Sequence, residues 1–586
     1  MKTIVELLTG IVSDAFAARG FDPSLGEVGV SDRPELCQFQ CNGAFAQAKR
    51  DGRPPMDIAG EVAEILSRDS RFSRVEAARP GFLNLTLDDG WLLSLAAAVE
   101  EDPHLGIPQI AEPETIVLDY GGPNVAKPLH IGHLRAAIIG ESLKRIARAT
   151  GRRVIGDVHL GDWGLQIGLV IAELEERHPG WPCFSPEAAE KETPVPPLDP
   201  DSLNELYPLA SQKSKGDDAF RDKARRITAA LQAGHAGYLA VWREIIRVSV
   251  ADLKENYRRL GVDFDLWYGD SDAEKYVPAL LDIRPGKGLL RESEGAQVVD
   301  VAEEGDKTDI PPVIIKKSDN SSIYATTDLA TILQRQQDYA PRRIWYVVDK
   351  RQGLHFTQVF RCAHKAGLVP PETELSHLGF GTMNGSDGRP YKTRDGGVMR
   401  LSDFLSAATE AALVKMENGA AFESEEERRE TARRIGVAAI KFGDLSNHRT
   451  KDYIFDMDKF LSFEGKTGTY LLYTLTRIQS LFNKAGSDMT GCRLNGVYAD
   501  VERELLLAVL LTGEAFRRAV EEKAPNYICE SAYRLASLFS RFYHDSRIVS
   551  EPDPDRRESW LALCRLTRVF LLLHLEVLGI EPVEKM

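Results

Sequence analysis

Residues 117–146 read "VLDYGGPNVAKPLHIGHLRAAIIGESLKRI", and the order of residue types in this run decides the fold. The approach to it, Ile116, Val117, Leu118, Asp119 and Tyr120, is short, apolar and β-branched, and it stops at Gly121, Gly122 and Pro123. A buried strand ends in this way. Apolar residues return after His133 at Leu134, Ala137, Ile138, Leu143 and Ile146, which is helical spacing. Gly151 stops that helix, and Val154-Ile155-Gly156-Asp157-Val158 reads as the next strand. The run is therefore a strand–loop–helix–strand unit with its polar residues at the carboxyl end of a strand, where open α/β sheets bind ligands.

His130 and His133 stand three apart at the start of the helix. Neutral imidazoles there, with the helix dipole and unpaired backbone N–H groups, suit a polyphosphate. Gly132 between them has no Cβ and lets backbone approach a ligand. A bare H-x-x-H, taken alone, reads more readily as two satisfied structural histidines. A zinc site would need third and fourth ligands at a standard spacing, which the sequence lacks.

The rest of the chain bounds the class. Its 586 residues suffice for several domains, and 43% apolar with 27% charged residues is ordinary globular composition. A formal net charge of −15 leaves no general positive field, so any nucleic-acid contact must be a local basic footprint. Seven cysteines without a C-x-x-C suit a reducing compartment, and Cys37 and Cys41 read as buried thiols. The opening "MKTIVELLTGIVSDAFAARG" carries Glu6 and Asp14 at helical spacing and reads as an amphipathic helix rather than a signal peptide. No apolar run reaches spanning length, so a cytoplasmic protein without membrane contact is expected.

Three regions are expected. Residues 1–108 mix helix and strand signals, and "EDPHLGIPQIAEPE" reads as a linker. Residues 109–452 alternate strands and helices, as a parallel sheet with helices on both faces requires. An exposed Pro-rich loop at 181–202 and a helical insertion containing "FRDKARRITAALQAG" and "LAVWREIIRVSVADLKENYRRLG" interrupt it. Residues 453–586 lose strand signals and read as a helical bundle. "EGKTG" at 464–468 lacks the first glycine of a Walker loop, and "LGFGTMNG" lacks a dinucleotide fingerprint; both read as turns.

"GGPNVAKPLHIGHLRAAIIG" resembles the HIGH signature region of class I aminoacyl-tRNA synthetases in its arginyl form. "GDWGLQIG" (161–168), "YATTDLA" (324–330), "VVDKRQGLHFTQVF" (347–360), "GRPYKTRDGG" (388–397) and the ending "LGIEPVEKM" follow in the same order as in that family. The resemblance covers nearly the whole chain, most weakly at 1–108 and 181–215. It implies an α/β fold with a Rossmann-type parallel-sheet catalytic domain carrying insertions. A small α/β N-terminal domain contacting the tRNA and an all-α anticodon-binding bundle complete it. It further implies ATP-dependent formation of arginyl-adenylate and transfer to the 2′-hydroxyl of the terminal adenosine of tRNA(Arg). ATP with Mg2+ is then a substrate rather than a bound cofactor, no structural metal is expected, and the chain is expected to be a monomer.

The resemblance also assigns residues. His130, His133, Lys127 and Lys392 are implied to be catalytic; Gly132, Gly161, Gly164, Lys392 and Arg394 join the histidines around ATP. The lysine-rich second signature, KMSKS, is represented only by "RPYKTRDGG", in an ambiguous register, and Lys127 supplies the missing charge. Asp119, Asn124, Tyr324, Asp328 and Gln352 are implied to hold arginine. A guanidinium wants carboxylates, and Tyr324 and Asp328, four apart, share a helix face. A helix N-cap is the other reading of Asp328. Asp119 is expected to be costly near a core unless it has a partner. For tRNA, Arg433, Arg434, Lys441 and Arg449 form a local basic stripe, and Tyr470 and Tyr473, with Phe539 and Tyr543, offer rings for unstacked bases. The alternatives for these are a salt-bridged helix face and core packing.

Three other functions fit less of the sequence. A class I enzyme for another amino acid would leave Asp119 and Asp328 unpaired, and a non-enzymatic tRNA-binding relative should have lost signature residues. A metabolite adenylyltransferase would not need the helical C-terminal region.

Overall fold

The computed structural model describes residues 1–191, 193–282, 289–316, 324–391, 399–417, 421–486 and 489–586. Its central sheet has four parallel strands, in spatial order Glu374–His377, Arg343–Val347, Thr115–Tyr120, Arg153–Asp157. The chain begins in Thr115–Tyr120, adds Arg153–Asp157 on one side and returns to the other with Arg343–Val347. That reversal opens a crevice at the carboxyl ends of the strands. The quoted run forms the first turn of this topology, with helix Leu134–Ala149 between the first two strands. Gly140 lets the helix close on the sheet, because a Cβ there would lie 2.2 Å from the Tyr120 ring.

Between the second and third strands, helices Pro200–Gly216, Asp218–Gln232 and Ala236–Arg259 form the expected insertion against helix Leu165–Arg177. The 181–202 segment is largely exposed, as expected, but is anchored at two points. Cys183 and Ala188 are fully buried, the Trp181 ring stacks between His178 and Phe184, and Gly237 admits the Cys183 carbonyl. Cys183 and Ala188 seat the segment against Gly237 of helix Ala236–Arg259, which proline content alone does not reveal. A three-stranded antiparallel sheet, Leu290–Ser293, Ala296–Val299 and Val313–Lys316, forms a further insertion.

The first hundred residues hold a four-stranded antiparallel sheet packed by helices Ile4–Ala18 and Pro55–Leu66. Cys37 and Cys41 are buried there, their thiols donating to Ser31 Oγ and the Leu25 carbonyl. Beyond Leu445 helices dominate: Gly468–Ala485, Asp500–Leu510, Thr512–Glu521, Asn526–Asp545 and Pro554–Val577 bury their apolar faces together. "EGKTG" is a turn, with Gly465 at positive φ and Thr467 capping the following helix. Among the described residues no helix is long and apolar enough to cross a membrane.

One buried ion pair ties the histidine helix to helix Glu425–Leu445, which leads into the bundle. Arg135, 2% exposed, pairs with the fully buried Asp444 at 2.9 Å and donates to the Gly381 carbonyl. Tyr453 donates its hydroxyl to the same carboxylate at 2.8 Å. Asp444→Ala strands a buried guanidinium and should cost about 3–5 kcal/mol. Chemical denaturation measures it; an unchanged midpoint contradicts the arrangement.

Candidate active site

The histidines are held by backbone geometry. Gly132 N–H donates to His130 Nδ1 at 3.0 Å, and His130 N–H donates to His133 Nδ1 at 3.2 Å. Both Nδ1 atoms are therefore acceptors, so each neutral ring carries its proton on Nε2. Burial, then the neighbouring Lys127 charge, lowers the His130 pKa; burial, then His130 and Lys127, takes His133 down to about 3. Both rings are neutral donors at pH 7. Gly132 has a different local reason from the expected one: a Cβ would lie 2.7 Å from the His130 ring, so the glycine admits the imidazole that folds back over it.

The surrounding loop is cross-braced. Asn124 bridges Gly161, with Val125 N–H donating to the Gly161 carbonyl and Gly161 N–H to Pro123. A Cβ on Gly161 would come 2.1 Å from Asn124 Oδ1, whereas Gly164 faces open space and precedes helix Leu165–Arg177. On the other side Ile131 N–H donates to the Met399 carbonyl, and Leu401 N–H to Leu129. Lys392 and Arg394 lie outside the described residues, but the chain leaving their segment is stitched beside the histidines. The Lys127 ammonium sits 4.5 Å from the Tyr207 ring centroid.

At the strand ends the expected lone carboxylate has a partner. Arg335 Nη2 donates to Asp119 Oδ2 at 2.6 Å and to Asp157 Oδ2 at 2.7 Å. The guanidinium also lies over Tyr346, the residue registered beside Asp119 in the next strand. Burial raises the Asp119 pKa against the pull of Arg335. His159 approaches Asp157 and Asp270 at 3.6 and 3.5 Å; despite burial, these carboxylates push it up to about 10. Asp119, Asp157 and His159 lie close enough together to hold a metal ion, but the Arg335 guanidinium already supplies the cation between the two carboxylates.

Asp328 lies inside helix Tyr324–Tyr339, so it is not an N-cap. Its Oδ2 meets His355 Nε2 at 2.6 Å, both side chains about one-third exposed. This hydrogen bond, against a smaller effect of burial, raises the His355 pKa. Tyr324 opens the same helix, its side chain outside the described residues, and Gln352 is exposed at the end of the turn Lys350–Gln352.

The basic stripe divides differently. Arg433 and Arg434 pair with Glu430 and Glu581, the salt-bridged face that was the other reading. Lys441 is wholly buried and caps the Gly261 and Gly579 carbonyls, so it cannot meet a phosphate; burial lowers its pKa to about 7. Arg449 donates to the Lys523 and Gly379 carbonyls as a strut. Phe539 is core and Tyr470 is tethered to Ser540. Tyr473 remains on the surface, 36% exposed, with Arg477 4.6 Å over its ring.

Sequence reasoning missed Arg335, Asp157, His159 and His355. Arg335 had a usable signal, since it lies two helical turns after Asp328 and shares its face. His355 was inside a quoted motif but carried no spacing that singled it out.

Comparison with known proteins shows the family. Residues 95–457 match the family described as tRNA synthetases class I (R), catalytic domain; residues 471–586 match the DALR anticodon binding domain, and residues 2–87 the arginyl tRNA synthetase N terminal domain. The class is thus a class I aminoacyl-tRNA synthetase. Relatives named arginine–tRNA ligase from Alkaliphilus oremlandii and Agathobacter rectalis are 48% and 46% identical, each over 100% of both chains. The fold matches the crystal structure of arginyl-tRNA synthetase from Plasmodium falciparum over 100% of both chains, with a TM-score of 0.80 at 23% identity. The chain belongs to the arginyl-tRNA synthetase family.

A titration tests the Asp328 pair. NMR should place the His355 pKa above its ordinary value near 6.5, and Asp328→Asn, which leaves only the lowering effect of burial, should drop it below that value; equal values in both proteins contradict the pair. Because the folded value is raised, the pair stabilises fully below about pH 6.5 and that contribution fades as pH rises through the elevated pKa.

Proposed function

We propose that this arginine–tRNA ligase runs both half-reactions across the strand ends described above. The arginine carboxylate attacks the α-phosphorus of ATP, giving arginyl-adenylate and pyrophosphate. The 2′-hydroxyl of the terminal adenosine of tRNA(Arg) then attacks the adenylate carbonyl and releases AMP. Such chemistry needs alignment and charge stabilisation more than an acid–base dyad.

The observation that carries the reading is the pair of neutral imidazoles whose Nδ1 atoms are both taken by backbone N–H groups. Two Nε2–H donors are thereby preorganised for charge that builds on the polyphosphate, with no proton to shed first. Lys127, Lys392 and Arg394 add positive charge; Gly164, which faces open space, leaves room for the adenosine, while Gly161 makes room for Asn124. ATP would enter with Mg2+ as part of the substrate, the ion supplying further charge neutralisation.

Asp328 receives the arginine guanidinium, with Tyr324 beside it on the helix, and His355 holds the carboxylate. Asp119, already bound to Arg335, braces the helix that carries Asp328 rather than offering a vacant pairing site. Asn124 and Gln352 serve the α-amino and carboxylate groups, since amides both donate and accept. Of the proposed tRNA contacts, Tyr473 with Arg477 keeps the exposed ring and cation that stacking on a base needs. Residues 1–108, 109–452 and 453–586 act as tRNA-contacting, catalytic and anticodon-binding domains of a monomeric, cytoplasmic protein.

Arginine-dependent pyrophosphate exchange, run with tRNA(Arg) present, tests the histidine role. His133→Ala should slow it roughly 10²-fold, as for loss of one transition-state donor, with the arginine KM unchanged. A larger change in arginine KM than in kcat contradicts the assignment.

A further inference from the structure

The helical insertion touches the ATP-side loops at four points. Ser249, on helix Ala236–Arg259, accepts the buried Ala126 N–H at 3.0 Å. Ala126 holds φ at +60°, a left-handed conformation that a non-glycine residue adopts only when its surroundings impose it. One residue on, Tyr207 of helix Pro200–Gly216 lies 4.5 Å from the Lys127 ammonium. Trp242 Nε1 donates to the Asp162 carbonyl at 2.9 Å, and Gln232 Nε2 to the Trp163 carbonyl at 2.9 Å, within the facing "GDWG" turn.

We propose that Tyr207 and Ser249 are positioning residues for Lys127, so that the insertion sets the geometry of the ATP edge. The proposal rests on the reading of Lys127 as a phosphate ligand. A lysine ammonium on a four-carbon stem loses much conformational freedom when it engages one phosphate. Ser249 fixes the backbone that launches the stem, and the Tyr207 ring draws the ammonium to one side through its quadrupole. Among the described residues no carboxylate pairs with Lys127, so its charge is restrained without being neutralised. The aromatic face holds a cation more weakly than a carboxylate would, which lets the ammonium pass to an incoming polyphosphate.

Pyrophosphate exchange with ATP, arginine and tRNA(Arg) tests this in the full chain. Tyr207→Leu keeps apolar bulk but removes the ring and should lower kcat/KM for ATP by about 5- to 30-fold, leaving the arginine KM and the melting temperature unchanged. Tyr207→Phe keeps the ring and should restore most of that loss. Lys127→Met should be more defective, and adding Tyr207→Leu to it should lower the rate no further. Ser249→Ala, which orphans the Ala126 N–H, should again lower ATP-dependent rate ahead of arginine binding. Equal effects of Tyr207→Leu with and without Lys127 would show a merely structural ring and overturn the proposal. So would a normal Tyr207→Leu enzyme beside a defective Lys127→Met. A normal Lys127→Met enzyme would instead remove the role of Lys127 itself, and the proposal with it.

Discussion

The Arg335 guanidinium, held between Asp119 and Asp157, is the constraint on which the carboxyl edge of the sheet depends. Two carboxylates end adjacent parallel strands, and neither position is open to bulk water. Without a cation they would repel each other and pay full desolvation. Arg335 supplies that cation from helix Tyr324–Tyr339, so the helix is pinned across the strand ends. The same helix carries Asp328 two turns earlier. One buried network therefore fixes where the more accessible carboxylate stands.

That division separates two jobs that sequence reasoning had merged. Asp119 and Asp328 are both acidic and both sit at the crevice, yet their surroundings differ. Asp119 is committed to an internal guanidinium, while Asp328 shares its charge with a histidine that can titrate. The histidine pair across the edge shows the complementary design. Backbone N–H groups fix each tautomer, and burial removes the charged form, so two donors stand ready without titrating near neutrality.

The strand–loop–helix–strand unit was legible because apolar periodicity changes abruptly at Gly121–Pro123 and again at His133. The bundle was legible for the same reason. The parallel sheet followed from alternation, but the small antiparallel insertion was hidden in short, weakly patterned strands. The candidate site was legible where ordered motifs carried it and illegible where partners come from distant chain positions. Arg335 pairs with Asp119 across more than two hundred residues, and although its place on the Asp328 face of the helix was readable, nothing in the sequence names Asp119 as its partner. Lys441 misled for the opposite reason: a lysine in a basic run reads as surface, yet carbonyls from two glycines give it a buried seat.

The role proposed for Asp328, on helix Tyr324–Tyr339, is to choose the substrate by its guanidinium. The most direct measurement compares arginine with citrulline, its neutral ureido counterpart, in tRNA(Arg)-supported pyrophosphate exchange by the native protein and by Asp328→Asn. The native protein should prefer arginine strongly, and the variant's preference should fall by about 1–2 kcal/mol, the scale of a charge-assisted hydrogen bond at a partly exposed carboxylate. Undiminished preference for arginine in Asp328→Asn would contradict it.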